Sequence, residues 1–331
     1  MRRKISWMSS CFLSILGTGL CSEKGHEADF TLLTDFVYME RYHVKDKPVI
    51  LDSLEEGCIN GCTTNRVLDT KNLVKEFKPG IRAAFSYIPN ASSRYELGGL
   101  YLWEMDNSST KMAKGILSVP FKKASFASDY YGADKISARY QSRFYTAELN
   151  YWRTFSRTFL VFSGLMGFRF AQVSEDFSID TYKLRSHSSY DISAQNNIMG
   201  LQTGFDLQIR LMHRFYWDFL VKAGVDLNRI ASKVFLGNLD NKVTLRNYSQ
   251  QSTQAGMFAE VGAGAGYQVL DWLSVRAGYQ MFFFGGLAQA PAQLNYSSSK
   301  LNHSSKLTGY NISKDGYVII HGVYTGLVYS F

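Results

Sequence analysis

Proline is scarce in this chain, with 5 residues in 331 against 27 Gly, 23 Phe and 21 Tyr. Such Gly and aromatic loading suits sheets in which bulky side chains meet one solvent and small ones crowd the other side. A membrane-spanning helix is also missing, since it needs about 20 apolar residues. After the N-terminal segment the best apolar run, FLVFSGLMGF at 159–168, stops at ten. Helical periodicity is weak throughout, and no composition break marks a linker. Cysteine is rare at 4 residues, and no His or Cys cluster accompanies any of them, so no metal site is expected. No His sits in a recognisable catalytic motif, and a Ser-His-Asp site needs side chains within hydrogen-bond reach, which spacing alone does not supply. The expectation is a protein that is not an enzyme and carries no cofactor. GAGAGYQV at 262–269 fits a strand with inward glycines better than a phosphate loop, because no helix start follows it. No motif stands behind nucleic-acid binding.

The N-terminus reads MRRKISWMSSCFLSILGTGLCSEKG. A positive start followed by a short apolar run is the pattern of a secretory signal peptide, expected over 1–21. A short membrane anchor is the alternative. Cys21 also invites a lipid-bearing reading, but Leu20 is too large for the small residue expected before such a Cys. Cys58 and Cys62, in CINGC, then remain in the exported chain as an even pair. A disulfide is expected between them.

What is abundant is alternation with period two, the mark of β-strands. Met257, Ala259, Val261, Ala263, Ala265 and Tyr267 share one face, and Phe258, Glu260, Gly262, Gly264, Gly266 and Gln268 the other. Leu273, Val275, Ala277, Tyr279, Met281 and Phe283 oppose Ser274, Arg276, Gly278 and Gln280. The runs 201–211 and 217–228 repeat the pattern, and the chain ends on it, in HGVYTGLVYSF. These runs exceed the five to six residues of a usual globular strand. They match the 9 to 11 of a tilted membrane-crossing strand. Their polar faces carry full charges, which a sandwich core would reject.

About ten such strands are expected, starting near Asp29, Gly80, Arg94, Ser137, Thr158, Met199, Tyr216, Met257, Leu273 and Tyr317. Eight and twelve stay open as alternatives. Short turns are placed near 89–93, 154–157, 212–215 and 270–272. Long external loops are placed at 41–79, 105–136, 176–197, 237–256 and 285–316. Short and long alternate, as in an all-β, antiparallel, up-and-down transmembrane barrel, here a single domain over 22–331. The last strand must close against the first, because an open edge has no place in lipid.

The ordered segments TAELNYWR, GLMGFRFAQVSEDFSI, NNIMGLQTGFDLQIR, FLVKAGVDLN, VRAGYQMFFFGGLAQAP and HGVYTGLVYSF resemble the beta-barrel porin-7 family of bacterial outer-membrane proteins. The resemblance covers roughly 140–331 well and the N-terminal third loosely. It implies a barrel in the bacterial outer membrane, with outer-membrane lipids and the barrel-assembly machinery as partners. It also implies that the aromatic C-terminus, Tyr329 and Phe331, is an assembly signal. A homo-oligomer stays open.

The charges expected to line the lumen are Arg82, Glu96, Glu148, Arg169, Glu175, Asp206, Arg210, Lys222, Asp226, Glu260 and Arg276. Two functions follow. One is a small porin-like channel for ions or small polar solutes, lined by these side chains. The other is a structural or surface-interaction barrel whose lumen is plugged by the same charges in a neutralising network. Much of the +8 net charge resides in the expected loops, at Lys45, Lys47, Lys71, Lys75 and Lys78 and at Lys111, Lys114, Lys122 and Lys123. These lysines either contact anionic head groups or are simply solvated.

Overall fold

The computed structural model describes residues 29–42, 44–52, 66–73, 77–122, 127–157, 159–184, 186–212, 214–297 and 311–331. The signal segment 1–21 and the Cys58/Cys62 pair lie outside the described residues. Twelve strands follow in order: β1 Asp29–Tyr42, β2 Pro48–Asp52, β3 Arg66–Asp69, β4 Phe77–Asn90, β5 Ser93–Ser118 and β6 Ala133–Arg157. They continue as β7 Leu160–Lys183, β8 Ser186–Arg210, β9 Phe215–Asn238, β10 Val243–Leu270, β11 Leu273–Leu287 and β12 Gly316–Ser330. Ten of them close a barrel, in the order β5-β4-β1-β12-β11-β10-β9-β8-β7-β6, with β6 pairing back onto β5. Every pairing is antiparallel. The small hairpin β2–β3 adds to the outer end of β5.

The first and last strands are neighbours, with Thr31 opposite Ser330. Phe331 seals the seam: its N–H donates to the Phe30 carbonyl at 3.0 Å, and Phe30 N–H donates to its carbonyl at 2.8 Å. Their rings stack at 6.2 Å. Tyr329 stacks on Trp272 at 6.3 Å.

The outer wall is apolar where it meets a bilayer. Leu97, Leu149, Met166, Leu201, Val225, Met257 and Val323 are each more than half exposed, one per strand around the wall. Such a belt is too large for a soluble monomer. Aromatics rim it at both edges. At the short-turn edge Tyr87, Tyr95 and Tyr151 touch in sequence. At the other edge Tyr38, Phe77 and His321 do so. This is the girdle pattern of a transmembrane barrel.

Above the belt the wall continues on one side. β1, β4, β11 and β12 have 14 to 15 residues, whereas β5 to β10 have 24 to 28. From Phe170 at the belt edge to Lys183, β7 runs on for roughly 40 Å, at about 3.3 Å per residue. Two expected loops are therefore strand. The segment 176–197 is β7 and β8 joined by a turn after Lys183, and 237–256 is mostly β9 and β10 joined by a turn after Asn238. The expected 105–136 loop shrinks to 119–132, and 41–79 contains β2, β3 and a 3-10 turn at Thr70–Leu73. The cause is a change of solvent. In the belt the outward face is apolar: Phe162, Met166, Phe168. Beyond it β7 turns Gln172, Ser174, Asp176 and Ser178 outward, and buries Val173, Phe177 and Ile179. The pleat runs on unbroken while the greasy face changes sides, so a search for apolar-out alternation ends at the membrane surface.

Ala263 sits mid-belt on the outward face of β10, with Glu260 buried inside. Ala263→Arg should cost about 2 to 4 kcal/mol in refolding titrations, the price of a guanidinium near the bilayer midplane. A neutral result would contradict this register.

Candidate functional site

One connected polar network crosses the lumen. Asp35 on β1 accepts from Arg82 on β4 (Nε, 2.6 Å) and from Arg276 on β11 (Nε, 3.0 Å). Tyr324 on β12 has both guanidinium groups over its ring, each at 4.8 Å. It fits because Gly278 opposite has no Cβ; one there would meet Tyr324 Oη at 2.6 Å. Arg82 reaches Gln280 Oε1 at 2.5 Å, and Gln280 donates to Glu260 on β10. Glu260 pairs with Arg169 on β7, which also holds Glu148 on β6 at 2.7 Å. Lys222 on β9 donates to Glu148 at 2.8 Å, and Gln202 on β8 does so at 2.9 Å. Asn150 links Glu148 to Glu96 on β5, each at 3.1 Å, and Trp152 Nε1 donates to Glu96 at 3.1 Å.

All ten barrel strands contribute. Arg94 pairs with Glu96 at 3.7 Å, and Tyr324 Oη donates to Asp218 at 3.4 Å. Five acids (Asp35, Glu96, Glu148, Asp218, Glu260) thus meet five bases (Arg82, Arg94, Arg169, Lys222, Arg276), so charge cancels within the set. Arg169 is fully buried between Phe258 and Phe282, at 5.0 and 5.8 Å. Against the network, and reaching toward the short turns, lies a cavity of about 140 Å³ walled by its members Glu96, Glu148, Lys222, Glu260 and Arg276 together with Asp206 and Trp152. Arg94 lies over the Trp152 ring at 4.4 Å.

Above the network the lumen is largely apolar, with the Arg41–Glu175 pair and Asp226 set among the apolar side chains. Val37, Met39, Leu100, Leu102, Phe144, Val173, Ile198, Phe258, Phe284 and Ile320 form a buried cluster across it. Above that cluster a strap, residues 288–297, turns into the barrel. The turn uses Gly286 at φ +76°, where a side chain would be strained. Ala288, Gln289, Ala290, Gln293 and Leu294 are all under 5 % exposed. Asn196 holds Ala288 in both directions: its Nδ2 donates to the Ala288 carbonyl, and its Oδ1 accepts from the Ala288 N–H, each at 2.8 Å. Glu175 accepts from Ala290 N–H at 2.8 Å while pairing with Arg41. Tyr190 Oη accepts from Asn295 N–H at 2.9 Å, and Arg246 donates to the Asn295 and Ser297 carbonyls. Tyr296 fits against Phe121. Burial raises its phenol well above the usual range.

Of the eleven expected lumen charges, Arg82, Glu96, Glu148, Arg169, Lys222, Glu260 and Arg276 come together in the network. Glu175 lies apart and anchors the strap. Asp206 lines the cavity against the network. Asp226 is buried against Gly256, where a Cβ would sit 2.6 Å from its Oδ1. Arg210 stands at the short-turn end, where its N–H donates to the Phe159 carbonyl at 2.9 Å. Asp35 and Arg41 were not anticipated. They share the inward face of β1 with Val37 and Met39, opposite Phe36 and Tyr38, and that alternation in TDFVYMERY is the signal that could have found them. Gln202 and Gln280 lie on the polar faces that the alternation marks, but without a charge to single them out. The aromatic Tyr324 stands among Gly322 and Gly326 on the small-residue face of the last run.

No family model matches the chain, and no curated protein does. Solved structures do. Ail, the attachment invasion locus protein of Yersinia pestis, aligns at 8 % identity over 91 % of this chain and 98 % of that one, with a TM-score of 0.24. A Pseudomonas aeruginosa FadL homologue aligns at 10 % identity over 92 % and 90 %, TM-score 0.29. OmpT, an outer membrane protein of Vibrio cholerae, aligns at 8 % identity over 95 % and 100 %, TM-score 0.19. At scores this low no argument rests on them, and the fold stands on the strand pairing itself.

Two measurements probe the site. Arg169→Met would leave Glu148 and Glu260 with Lys222, at 2.8 and 3.7 Å, as the one cation they still share. Urea unfolding should show a loss of about 3 to 5 kcal/mol; a loss under about 1 kcal/mol would mean the network does not hold the lumen. Lys47, outside the membrane, donates to the Ala292 and Leu294 carbonyls at 2.8 and 2.6 Å. Burial, then the neighbouring Lys45, push its ammonium down to about 8. The unfolded chain therefore holds the extra proton between about pH 8 and the ordinary lysine value near 10.4. Stability should rise with pH across that window. The melting temperature of the protein minus that of Lys47→Met should increase from pH 8 to pH 10, and a flat difference would remove the burial argument.

Proposed function

We propose that this chain is a closed barrel of the bacterial outer membrane that acts at the surface through its external extension. The porin-like channel is the second reading. The observation that carries the proposal is the buried strap 288–297, seated above an apolar layer that itself lies above a charge-neutral network. An ion crossing the lumen would have to leave water at each of the three. Desolvating a charge without a partner costs several kcal/mol per ion. Ten strands also lie nearer the eight of filled barrels than the 16 to 18 of porins. The location is inferred from the barrel form, the double aromatic girdle and the resemblance to the porin-7 family, and the seam-closing Phe331 fits the role of assembly signal for the insertion machinery.

The porin reading draws on the polar cavity against the network, which would serve as the inner vestibule of a channel once the strap had left. Planar-bilayer recording of the refolded protein distinguishes the two. The closed barrel should carry no steady current, and Glu148→Gln with Glu260→Gln should lower its melting temperature without producing one. Ohmic conductance in the parent, with selectivity shifted toward anions in the double variant, would establish the porin instead.

A further inference from the structure

The far end of the extension is an organised apex. The Asp134 carboxylate at the start of β6 accepts from Gly115 N–H and from Leu184 N–H, each at 3.0 Å. It thereby ties a bulge in β5 to the β7–β8 turn. The Asp240 carboxylate accepts from His187 N–H at 2.6 Å, and Leu239 N–H donates to the His187 carbonyl at 2.9 Å. The β9–β10 turn is thereby tied to β8. His187 stacks on Tyr182 at 4.5 Å, with Lys135 4.9 Å from the same ring. Three connections thus form one platform.

Its outward side chains break the rule of the extension, whose outer face is otherwise polar. Leu184 is 90 % exposed, Met112 73 %, Val243 50 %, Ile116 45 % and Leu239 44 %. Leu184 also sits at φ +54°, and Lys242 at φ +53°. A turn of that shape ordinarily takes Gly or Asn; a bulky residue there is a genuine outlier, and such strain is characteristic of binding sites. At that exposure the Leu184 side chain contributes little to packing among the described residues. Exposed Lys114 and Lys242 flank these aliphatics; of the apex carboxylates, Asp134 and Asp240 accept from backbone N–H groups and Asp180 pairs with His187 at 3.1 Å.

Aliphatic anchors among lysines are the chemistry of adsorption to an anionic bilayer. The aliphatics enter the acyl boundary, and each lysine near the surface is attracted to anionic head groups. The apex stands roughly 30 Å above the protein's own belt, allowing for strand tilt, so the bilayer is a second, apposed one. We propose that the apex formed by the β5 bulge and the β7–β8 and β9–β10 turns docks on an anionic phospholipid membrane facing the cell. This rests on the surface-acting reading above and names its partner.

The test uses the full chain in nanodiscs, floated with vesicles of phosphatidylcholine alone or mixed with phosphatidylglycerol. The protein should float with the mixed vesicles and stay behind with the neutral ones. Leu184→Gly removes an anchor and relieves the backbone, so it should melt no lower than the parent. Combined with Leu239→Ser, it should weaken vesicle binding at least tenfold, because two aliphatic anchors no longer enter the acyl boundary. Lys114→Ser with Lys242→Ser should weaken it about as much. Equal flotation of the parent and the leucine variant overturns the proposal. So does capture of both alike by heparin, which would mark a soluble polyanion site. Vesicle binding by a conducting barrel would sink the closed reading and leave this one. A silent barrel that ignores vesicles would do the reverse.

Discussion

In hydrocarbon no water is present to satisfy a backbone N–H or carbonyl, so every strand at membrane depth must have two neighbours. That requirement makes the N-terminal and C-terminal strands partners here and places Phe331 against Phe30 at the seam. It also fixes what the side chains can do. With both edges of each strand occupied by the ladder, only the two faces remain. One belongs to lipid along the belt, and the other must fill a lumen that ten strands leave narrow. The balanced set from Asp35 to Lys222 is one solution to that filling, and its salt bridges tie strands that are not neighbours in the ladder, such as β7 to β10.

The second constraint is that the solvent changes along the strand while the pleat does not. β8 shows it within one element. Phe205, Leu201 and Met199 face out, and two residues further Asn197, Gln195 and Ser193 take that same face. The inward face changes the other way, from Asp206, Gly204 and Gln202 to Ile198, Ala194 and Ile192. β9 does the same between Leu227 and Lys233. The hydrophobic effect acts only where water is the alternative. In the belt it pushes apolar groups outward to lipid, and above the belt it pushes them inward. Above the belt the wall is therefore a soluble sheet with a core of its own, in which Tyr130, Tyr140, Tyr190 and Phe121 are almost wholly buried.

This explains which parts were legible in the sequence. Strand number, closure and the position of the short turns follow from apolar-out alternation, which is strong in VGAGAGYQV and LSVRAGYQMFF. The turn expected at 154–157 is nonetheless the end of β6, which pairs with β7 as far as Arg157 opposite Leu160. Most of the network charges could be placed because they interrupt the polar face of those same runs. The upper halves of β7 to β10 resemble loops in sequence because Ser, Asn, Asp and Gln dominate their outward face, while the apolar residues occupy the face that carries charge in the belt. Glu175 illustrates the confusion. It was expected with the other lumen charges, and it does point inward, but it lies above the belt and holds a backbone N–H of the strap. Partners of that kind, a carboxylate or an Asn amide meeting main chain a hundred residues away, leave no trace in local pattern.

The position of the strap follows from the same inversion. Segment 288–297 carries Ala288, Ala290, Pro291, Leu294 and Tyr296, too apolar for a solvated loop. At belt depth the lumen offers charges, which would lose their partners if displaced. Above the belt it offers an apolar sleeve open on the side where β1, β4, β11 and β12 stop short. The strap descends from β11, on that low side, and closes the opening. Its main-chain groups are met by Asn196, Glu175, Tyr190, Lys47 and Arg246, so burying it leaves few peptide groups unpaired. The one-sided height of the wall and the inward strap are thus a single arrangement. The tall strands supply a core, the short ones leave a gap, and the strap that follows β11 fills it.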